Sequence, residues 1–374
     1  MNTRSNIRLL LTASALAVWQ VAFGYTPPTE YVIREIPLPT NDIAFSKQNN
    51  QLLATVPSSA GVGRGNSVTH IDPYTGAILG SVFVGSEPGP IGLSDNGGIA
   101  YVGMDGSPVV RRYDVSTKTA GAQSFLGSDP FYGFFYAEDI AVKPGDPETF
   151  AVSRIRKGVS PRHGGVAAFV NGTQLPDTTQ DHTGSNRIEF GGTPDALYGL
   201  NNESTEFGLR TLSLDATGVH ETGVIGNLSG FSTDFKFEDG RLYASWGVVF
   251  DPALGFPVGT YSASVGSGIA AVEPDSSNGV SFGIESDFGT PIQLSVFDQE
   301  TFVPIGAFSL IGVSGIPTDL VSMGDAGLAL RTDDYFGGNS RLYLLTPVPE
   351  PGSWAMIATG CLLLTMRLAR RASH

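Results

Sequence analysis

Cysteine is nearly absent from this sequence of 374 residues, which contains one, Cys361. Because Cys361 lies in an apolar run near the C-terminus, the rest of the chain forms no disulfide and must rely on a packed core. No histidine stands at metal-ligand spacing from another histidine or a cysteine. The histidines are His70, His163, His182, His220 and His374. These absences exclude a disulfide-stapled scaffold and a zinc site of ordinary spacing.

Basic residues are also few, since 22 lysines and arginines stand against 36 acidic residues, for a formal charge of −14. Five of the arginines lie in residues 1–24 and 352–374, which contain no acid, so residues 25–351 carry a formal charge of −19. Such a charge makes the protein a poor candidate for binding nucleic acid or anionic lipid, because phosphates would be repelled, and we expect no nucleic-acid partner. It suits solubility outside the cell.

Long amphipathic helical patterns are missing between the two ends of the chain. Instead, 48 glycines without a collagen period accompany short alternating apolar runs and frequent Asp, Asn and Gly turns. This combination predicts an all-β fold. The stretch Gly279–Gly283 matches the Gly-x-Ser-x-Gly of hydrolase nucleophile elbows, but it falls in a predicted strand, whereas the elbow needs a strand–turn–helix. With no catalytic constellation evident, we expect a protein that is not an enzyme.

A unit of about 45 residues recurs along the chain, with four strands and an Asp-led turn between the third and fourth. Its clearest copy runs from Asp42 to Val84, with the turn Asp72–Gly76. Seven copies fill the chain to Pro347, with six or eight as the alternatives, and the seventh lacks a fourth strand. The alternating stretch Tyr31–Leu38 can supply it. This pattern predicts a β-propeller closed by its N-terminal strand.

The turn motif resembles the YVTN and quinoprotein-like repeats of the WD40-like propellers, which implies the same architecture for residues 25–347. In four copies an aspartate stands just before the first strand, which in a propeller lines the central channel. These residues are Asp42, Asp139, Asp234 and Asp319. They are candidates for a channel-mouth site that holds a polar ligand or Ca²⁺. The alternative is that each carboxylate accepts backbone N–H groups between blades.

The one basic cluster of the acidic region comprises Arg154, Arg156, Lys157 and Arg162. The stretch from Arg154 to Gly165 is basic and glycine-rich, and we expect it to form a loop. Such a loop could contact an acidic glycan or a protein partner. A solvated loop without a partner is the alternative.

Both ends of the chain have the features of export signals. Arg4 and Arg8 precede the apolar run Leu9–Val18 and the small-x-small site Ala22–Gly24, which predicts a signal peptide over residues 1–24. At the other end, Pro349-Glu350-Pro351 precedes an apolar run that spans Trp354–Leu368. A basic end follows, with Arg367, Arg370 and Arg371. The arginines on one side predict a membrane helix whose C-terminus stays in the cytoplasm.

The order and spacing of these parts in residues 348–374 resemble the PEP-CTERM sorting signal of Gram-negative bacteria. That resemblance implies recognition by an exosortase, which removes the tail after an inner-membrane intermediate and delivers the protein to the cell surface or medium. It also implies a link to exopolysaccharide and biofilm matrix. The alternative is a tail that only anchors the protein in the membrane.

We therefore expect an exported surface or matrix protein whose propeller binds an exopolysaccharide or a surface protein. The alternative is a propeller enzyme, such as a lactonase-like hydrolase or a polysaccharide lyase with a cation at the channel mouth. Fold alone does not decide between them, since propellers host many unrelated functions.

Overall fold

A computed structural model describes residues 25–226, 230–263, 268–287, 290–334 and 340–348. The predicted signal peptide and the predicted sorting signal from Pro349 onward, with its Pro-Glu-Pro motif and its three arginines, lie outside these residues. Within them, no helix is long and apolar enough to cross a membrane. The regular structure consists of strands and of two short 3-10 helices, Ser58–Ala60 and Gly324–Ala326.

The strands form seven antiparallel sheets, one for each predicted blade. In chain order the first are β1 Glu30–Ile36, β2 Asp42–Ser46, β3 Gln51–Val56, β4 Ser67–Ile71, β5 Ile78–Phe83, β6 Pro88–Leu93, β7 Ile99–Met104, β8 Val109–Asp114 and β9 Thr119–Phe125. The next are β10 Ser128–Asp129, β11 Gly133–Val142, β12 Thr149–Arg156, β13 His163–Val170, β14 Thr173–Thr178, β15 Arg187–Phe190, β16 Ala196–Leu200, β17 Leu209–Leu214 and β18 Val219–Ile225. The last are β19 Phe235–Glu238, β20 Arg241–Ala244, β21 Val248–Asp251, β22 Phe256–Thr260, β23 Gly268–Asp275, β24 Val280–Ser286, β25 Gln293–Asp298, β26 Pro304–Ser309, β27 Ile316–Ser322, β28 Leu328–Asp333 and β29 Arg341–Val348.

The sheets close into a ring, which confirms the seven-bladed propeller. Blades 1 and 2 are β2–β5 and β6–β9, blade 3 is β10–β14, and blades 4 to 6 are β15–β18, β19–β22 and β23–β26. Contacts run from each inner strand to the next, through β2, β6, β11, β15, β19, β23 and β27, and return from β27 to β2. We call the end of the channel where the inner strands begin the upper end, and its opposite the lower end.

The seventh blade is completed from the N-terminus, as predicted. Its sheet order is β1-β29-β28-β27, and β1 pairs antiparallel with β29 from Glu30↔Val348 to Ile36↔Leu342. The outer strand therefore comes from the start of the chain and the three others from its end. This pairing removes the free edge that an incomplete blade would expose.

The hydrophobic core lies between blades rather than within a single centre. The described residues form seven apolar clusters, and each cluster joins residues of two neighbouring blades. Between blades 7 and 1, for example, Leu342 and Leu344 pack with Ile36, Ile43 and Leu52. Successive side chains along a strand point to opposite faces of the sheet, so a blade has apolar side chains on both faces. The neighbouring blades cover these faces.

The predicted Asp-led turns are present. In these turns the carboxylate of an aspartate near the end of the third strand accepts backbone N–H groups. Asp72 accepts from Thr75 N at 2.7 Å, Asp114 from Thr117 N at 2.7 Å, and Asp298 from Thr301 N at 2.7 Å. The bond from Thr75 lowers the pKa of Asp72. Blade 3 instead turns at Asn171-Gly172, whose φ angles of 50° and 78° suit a tight hairpin.

The prediction of a loop over residues 154–165 was wrong at both ends of this range. β12 continues through Arg156 and β13 begins at His163, so the connection is limited to residues 157–162. Arg154 and Arg156 are 5% and 4% exposed, and they do not form part of a solvated loop. Blade 3 also has a fifth strand, β10, that the repeat pattern does not predict.

Ring closure can be tested by substituting one buried and one exposed residue of β1. Ile36 is 3% exposed at the interface between blades 7 and 1, whereas Val32, on the same strand, is 51% exposed. We expect Ile36→Ala to lower the free energy of unfolding by about 2 to 4 kcal/mol, because it leaves a cavity at the closing interface. Val32→Ala should change it by about 0.5 kcal/mol or less. Urea unfolding followed by fluorescence measures both, and equal effects would contradict closure through β1.

Candidate functional site

A channel runs along the axis of the ring, and its cavity measures about 1660 Å³. Its wall is made by the inner strands, several of which carry charged side chains that face the channel. In several blades a charged residue stands directly before a buried apolar residue. Because side chains alternate along a strand, the apolar side chain points towards a neighbouring blade and the charged side chain before it points towards the channel. These charged residues are Asp42, Asp139, Arg187, Asp234 and Asp319, and the buried successors are Ile43, Ile140, Ile188, Phe235 and Leu320.

Two of the predicted aspartates connect blades through backbone hydrogen bonds. Asp42 accepts from Ile43 N within its own blade and from Ile91 N of blade 2, both at 2.8 Å. Asp139 repeats this arrangement between blades 3 and 4, accepting from Ile140 N at 2.9 Å and from Ile188 N at 2.8 Å. In these two blades the carboxylates therefore have the structural role that the sequence left as the alternative to ligand binding.

The other two predicted aspartates lie beside cations. Asp234 accepts from Phe235 N at 2.8 Å and lies 3.9 Å from Arg187 Nε. Asp319 lies 3.7 Å from Lys236 Nζ, which also contacts Glu273 at 2.6 Å. Sequence reasoning missed Arg187 and Lys236. The signal that could have identified them is their position, since each falls on an inner strand in register with the aspartates or two residues beyond.

Burial in the channel changes the protonation of these groups. It raises the pKa of Asp42 to about 7, with the nearby Asp319 adding to the shift, and the pKa of Asp139 to about 6. Burial and the charge of Asp139 raise the pKa of Glu189 to about 8. Burial lowers the pKa of Lys236, but the carboxylates of Glu273 and Asp319 outweigh this effect and hold the pKa above its ordinary value. The channel therefore contains carboxyl groups that hold protons near neutral pH.

The upper mouth of the channel contains a second network, which includes the rest of the predicted basic cluster. Arg162 lies between Glu203 at 2.6 Å and Glu138 at 3.3 Å, and Asn186 donates to both glutamates. Burial raises the pKa of Glu138 to about 7. Lys157 lies 3.8 Å from a carboxylate oxygen of Asp105. Arg162 and Lys157 thus have acidic partners within the protein.

The described residues contain no group of three or more His, Cys, Asp or Glu side chains arranged to hold a metal ion. The Ca²⁺ prediction therefore stays a prediction. Ser281, of the Gly-x-Ser-x-Gly match, lies in β24 with no exposed surface and contacts Tyr261 Oη at 2.9 Å. That motif is part of the core, as its predicted strand context implied.

Three aromatic side chains form a platform on the upper face over blades 4 and 5. We call Phe207, Phe231 and Trp246 the aromatic platform. The rings of Phe207 and Phe231 meet edge to face at 4.8 Å between centroids. Phe231 and Trp246 are each 64% exposed. The indole lies beside Gly230, where an added Cβ would come within 3.4 Å of it.

The backbone of the platform is strained. Trp246 has φ of 77°, and Phe207 has φ of 44°. Bulky residues rarely adopt the left-handed region, and each such residue costs about 1 to 3 kcal/mol. The turn Trp246-Gly247 joins β20 to β21, a place where Asn-Gly is the unstrained choice. The fold thus holds an exposed indole at a position where neither burial nor backbone preference favours tryptophan.

The fold has many counterparts among solved structures. No protein-family model matches the chain, and no curated protein matches it in sequence. Hydrazine synthase of Kuenenia stuttgartiensis aligns over 86% of this chain and 98% of its own, with a TM-score of 0.57 and 13% identity. U3-55K aligns over 86% and 100%, with a TM-score of 0.58 and 10% identity. The β-propeller domain of Cps50 (Swd1) from Myceliophteria thermophila aligns over 85% and 100%, at 0.56 and 11%. These likenesses show the fold alone.

The raised carboxyl pKa values set a sign for the pH dependence of stability. Since the folded pKa of Glu189 lies above its unfolded value, its stabilising contribution is complete at low pH and is lost as pH rises towards 8. We expect Glu189→Gln to melt at a higher temperature than the parent at pH 8 and to lose that advantage at pH 5. Buried His70 and His163, whose pKa values are lowered to about 4 and about 3, act in the opposite direction and are unchanged in this comparison.

Melting curves of the two proteins from pH 5 to pH 8 measure this difference. Glu30→Gln, at an exposed position of β1, is the matched control and should follow the parent throughout. A constant offset between Glu189→Gln and the parent at every pH would contradict a raised pKa at Glu189.

Proposed function

We propose that the chain is an exported surface protein whose propeller binds an exopolysaccharide through its upper face. Residues 1–24 direct export, and the segment from Val348 to His374 is the sorting signal that an exosortase processes after an inner-membrane intermediate. The protein then resides at the cell surface or in the extracellular matrix. The sequence address at the two ends supports the route, and the aromatic platform supports the binding role.

The observation that carries the binding role is the strained and exposed Trp246. Large exposed aromatic groups mark interaction sites on soluble proteins. An aromatic face carries partial negative charge, so it attracts the weakly positive C–H groups on the face of a sugar ring. Strain that the fold does not require is common at ligand-contacting positions. An exposed aromatic platform of this kind therefore suits a polysaccharide chain.

The position of the platform agrees with the proposed tether. β29 ends at the lower end of blade 7 with Val348, and the proposed sorting signal follows it in sequence. Trp246 lies between β20 and β21 at the opposite, upper end of the ring. A protein held through its C-terminal segment therefore presents the platform away from the membrane.

Trp246→Asn separates stability from binding. Asparagine tolerates positive φ, so we expect this variant to be more stable than the parent by about 1 kcal/mol in urea unfolding. We also expect it to be retained less on insoluble exopolysaccharide from the native host. Phe83→Asn, at a 67% exposed aromatic residue in strand β5, is the control and should gain no stability and keep its retention. Full retention of Trp246→Asn would contradict a binding role for the platform.

The intact mass of the protein recovered from the surface or medium of its host tests the sorting step. We expect a chain that begins at Tyr25 and ends near Pro349–Pro351. A mass that still includes Trp354–His374 would contradict exosortase processing and leave a membrane-anchored protein.

A second candidate is a propeller enzyme of the lactonase or polysaccharide lyase type, acting in the channel. The observation that favours it is the set of carboxyl groups with pKa values near neutral, Asp139 and Glu189 among them, since such groups can take and give protons. Turnover of a lactone or a polysaccharide by the purified protein, lost on Asp139→Asn with folding retained, would favour this candidate over the binding protein.

A further inference from the structure

The upper part of blade 3 extends beyond the other blades. β11 has ten residues, and β12 and β13 have eight each, while β10 adds an edge strand. In this extension Phe135 pairs with Arg156, and Ala137 with Arg154, so both arginines point to the face that carries Phe135. The chain after β14 continues the sheet, since His182 N donates to His163 O at 2.9 Å. The repeat pattern does not require such an extension.

Arg154 is a buried cation without an acidic partner. It is 5% exposed, and within the described part of the chain it forms no ion pair. Its guanidinium donates to two carbonyl groups, Gly165 O at 3.3 Å and Leu126 O at 3.4 Å, which leaves Nη2 without an acceptor among the described residues. The carbon Cζ lies 4.4 Å from the centroid of the Phe135 ring. Burial and the neighbouring Arg156 lower the pKa of Arg154 to about 10.

Arg156 adds a second buried cation that is only partly satisfied. It is 4% exposed, and its Nη2 is paired with the carboxylate of Asp181, which is 55% exposed. Its Nε is buried and has no partner among the described residues. The guanidinium lies 5.1 Å from the Tyr132 ring and 5.8 Å from the Phe135 ring. Between them, the two guanidinium groups thus have one carboxylate partner among the described residues, and it pairs with Arg156 alone.

Such an arrangement is costly unless an anion completes it. A buried charge without a partner is destabilising, and in this strongly acidic region acidic residues are plentiful. Yet Asp181 is the one carboxylate paired with either arginine in the parts of the chain that the structure describes. Guanidinium groups form strong charge-assisted hydrogen bonds with carboxylates, and among the described residues Nη2 of Arg154 and Nε of Arg156 lack an acceptor.

The surroundings of the two arginines indicate what carries the anion. The ring of Tyr132, which lies 5.1 Å from the Arg156 guanidinium, is 54% exposed, and its neighbour Phe131 in the same hairpin is 88% exposed. Asp129 accepts from the backbone N–H groups of Phe131 and Tyr132 at 2.7 and 2.9 Å, which fixes the hairpin that bears these rings. Aromatic faces beside paired guanidinium groups match a sugar ring that bears a carboxylate.

We propose that Arg154 and Arg156, with Tyr132 and the rings beside it, bind the carboxylate of a uronic acid in a polysaccharide. The choice of a sugar rests on the proposed function, whereas the anion site rests on the geometry of blade 3. The site lies on a different blade from the aromatic platform, so a long polysaccharide chain can contact both.

The test uses full-length protein in detergent and a trimer of glucuronic acid, with its methyl ester as the neutral probe. Calorimetry should show that the acid binds about tenfold or more tightly than the ester, because hydrogen bonds to charged groups are lost in the ester. Arg154→Met, which keeps the apolar stem under Phe135, should weaken binding of the acid by a similar factor. Arg64→Met, at an exposed arginine between β3 and β4 on the same end of the ring, is the matched control and should bind as the parent does.

The variant Asp181→Asn distinguishes a ligand-binding role of the two arginines from a purely structural one. Removing this carboxylate frees Arg156, so we expect the acidic trimer to bind several-fold more tightly, which a purely structural role would not produce. Melting temperatures confirm that each variant is folded, and Arg154→Lys replaces Arg154→Met if the latter does not fold. Lysine keeps the charge but not the paired donors, so it too should weaken binding of the acid.

Equal affinity for acid and ester, or unchanged binding in Arg154→Met, would overturn the site. Binding of an acetylated peptide with one free carboxylate, without binding of the trimer, would overturn the assignment to a sugar. Neither result affects the polysaccharide retention expected to depend on Trp246, so failure of this site and failure of the proposed function are distinguishable.

Discussion

Closure of the ring is the constraint on which the rest of the structure depends. Each apolar cluster needs two blades, so a blade without both neighbours would expose a face of its sheet. Pairing of β1 with β29 joins the start of the chain to its end and gives blade 7 its outer strand. The channel, the charged network within it and the upper face exist only once this pairing has formed.

Inside the closed ring, charge takes the place that apolar side chains occupy between blades. Asp42 and Asp139 each bind a backbone N–H of the next blade, and Glu273 does the same by accepting from Ser322 N at 2.8 Å. Arg331, in blade 7, donates to Thr40 O at 2.9 Å in the connection that leads into blade 1. Carboxylates that hold blades together are less available to a ligand. This supports the proposed placement of the binding site on the upper face rather than in the channel.

The repeat, the Asp-led turns and the closing strand could be predicted because they depend on local pattern. A period of about 45 residues and an aspartate at each turn are visible in one sequence, and a last copy short of one strand points to the spare stretch after Tyr25. The aspartates of the inner strands were also found by position. Their partners, Ile91 and Ile188, stand 49 residues away along the chain, and no local pattern identifies them.

The extension of blade 3 shows why the rest could not be predicted. Arg154 and Arg156 in a glycine-rich stretch indicate a solvated loop when only neighbours in sequence are considered. In the folded protein Phe135 and Tyr132, about 20 residues earlier, cover both guanidinium groups, so charge that would favour solvent is held in a strand. Trp246 likewise stands in a tight turn where asparagine is the residue that backbone preference favours, and no local pattern in the sequence shows that its side chain is exposed.

The placement of β29 also determines how the protein would carry a mechanical load. A force that enters at Val348 and leaves through a ligand on the upper face runs along β29, which is flanked by β1 on one side and β28 on the other. Its hydrogen bonds to both neighbours then resist together in shear, instead of opening one after another as in a peeled strand. The same strand arrangement that hides a sheet edge thus gives the last strand of the ring a hydrogen-bonded neighbour on each side against a pulling force.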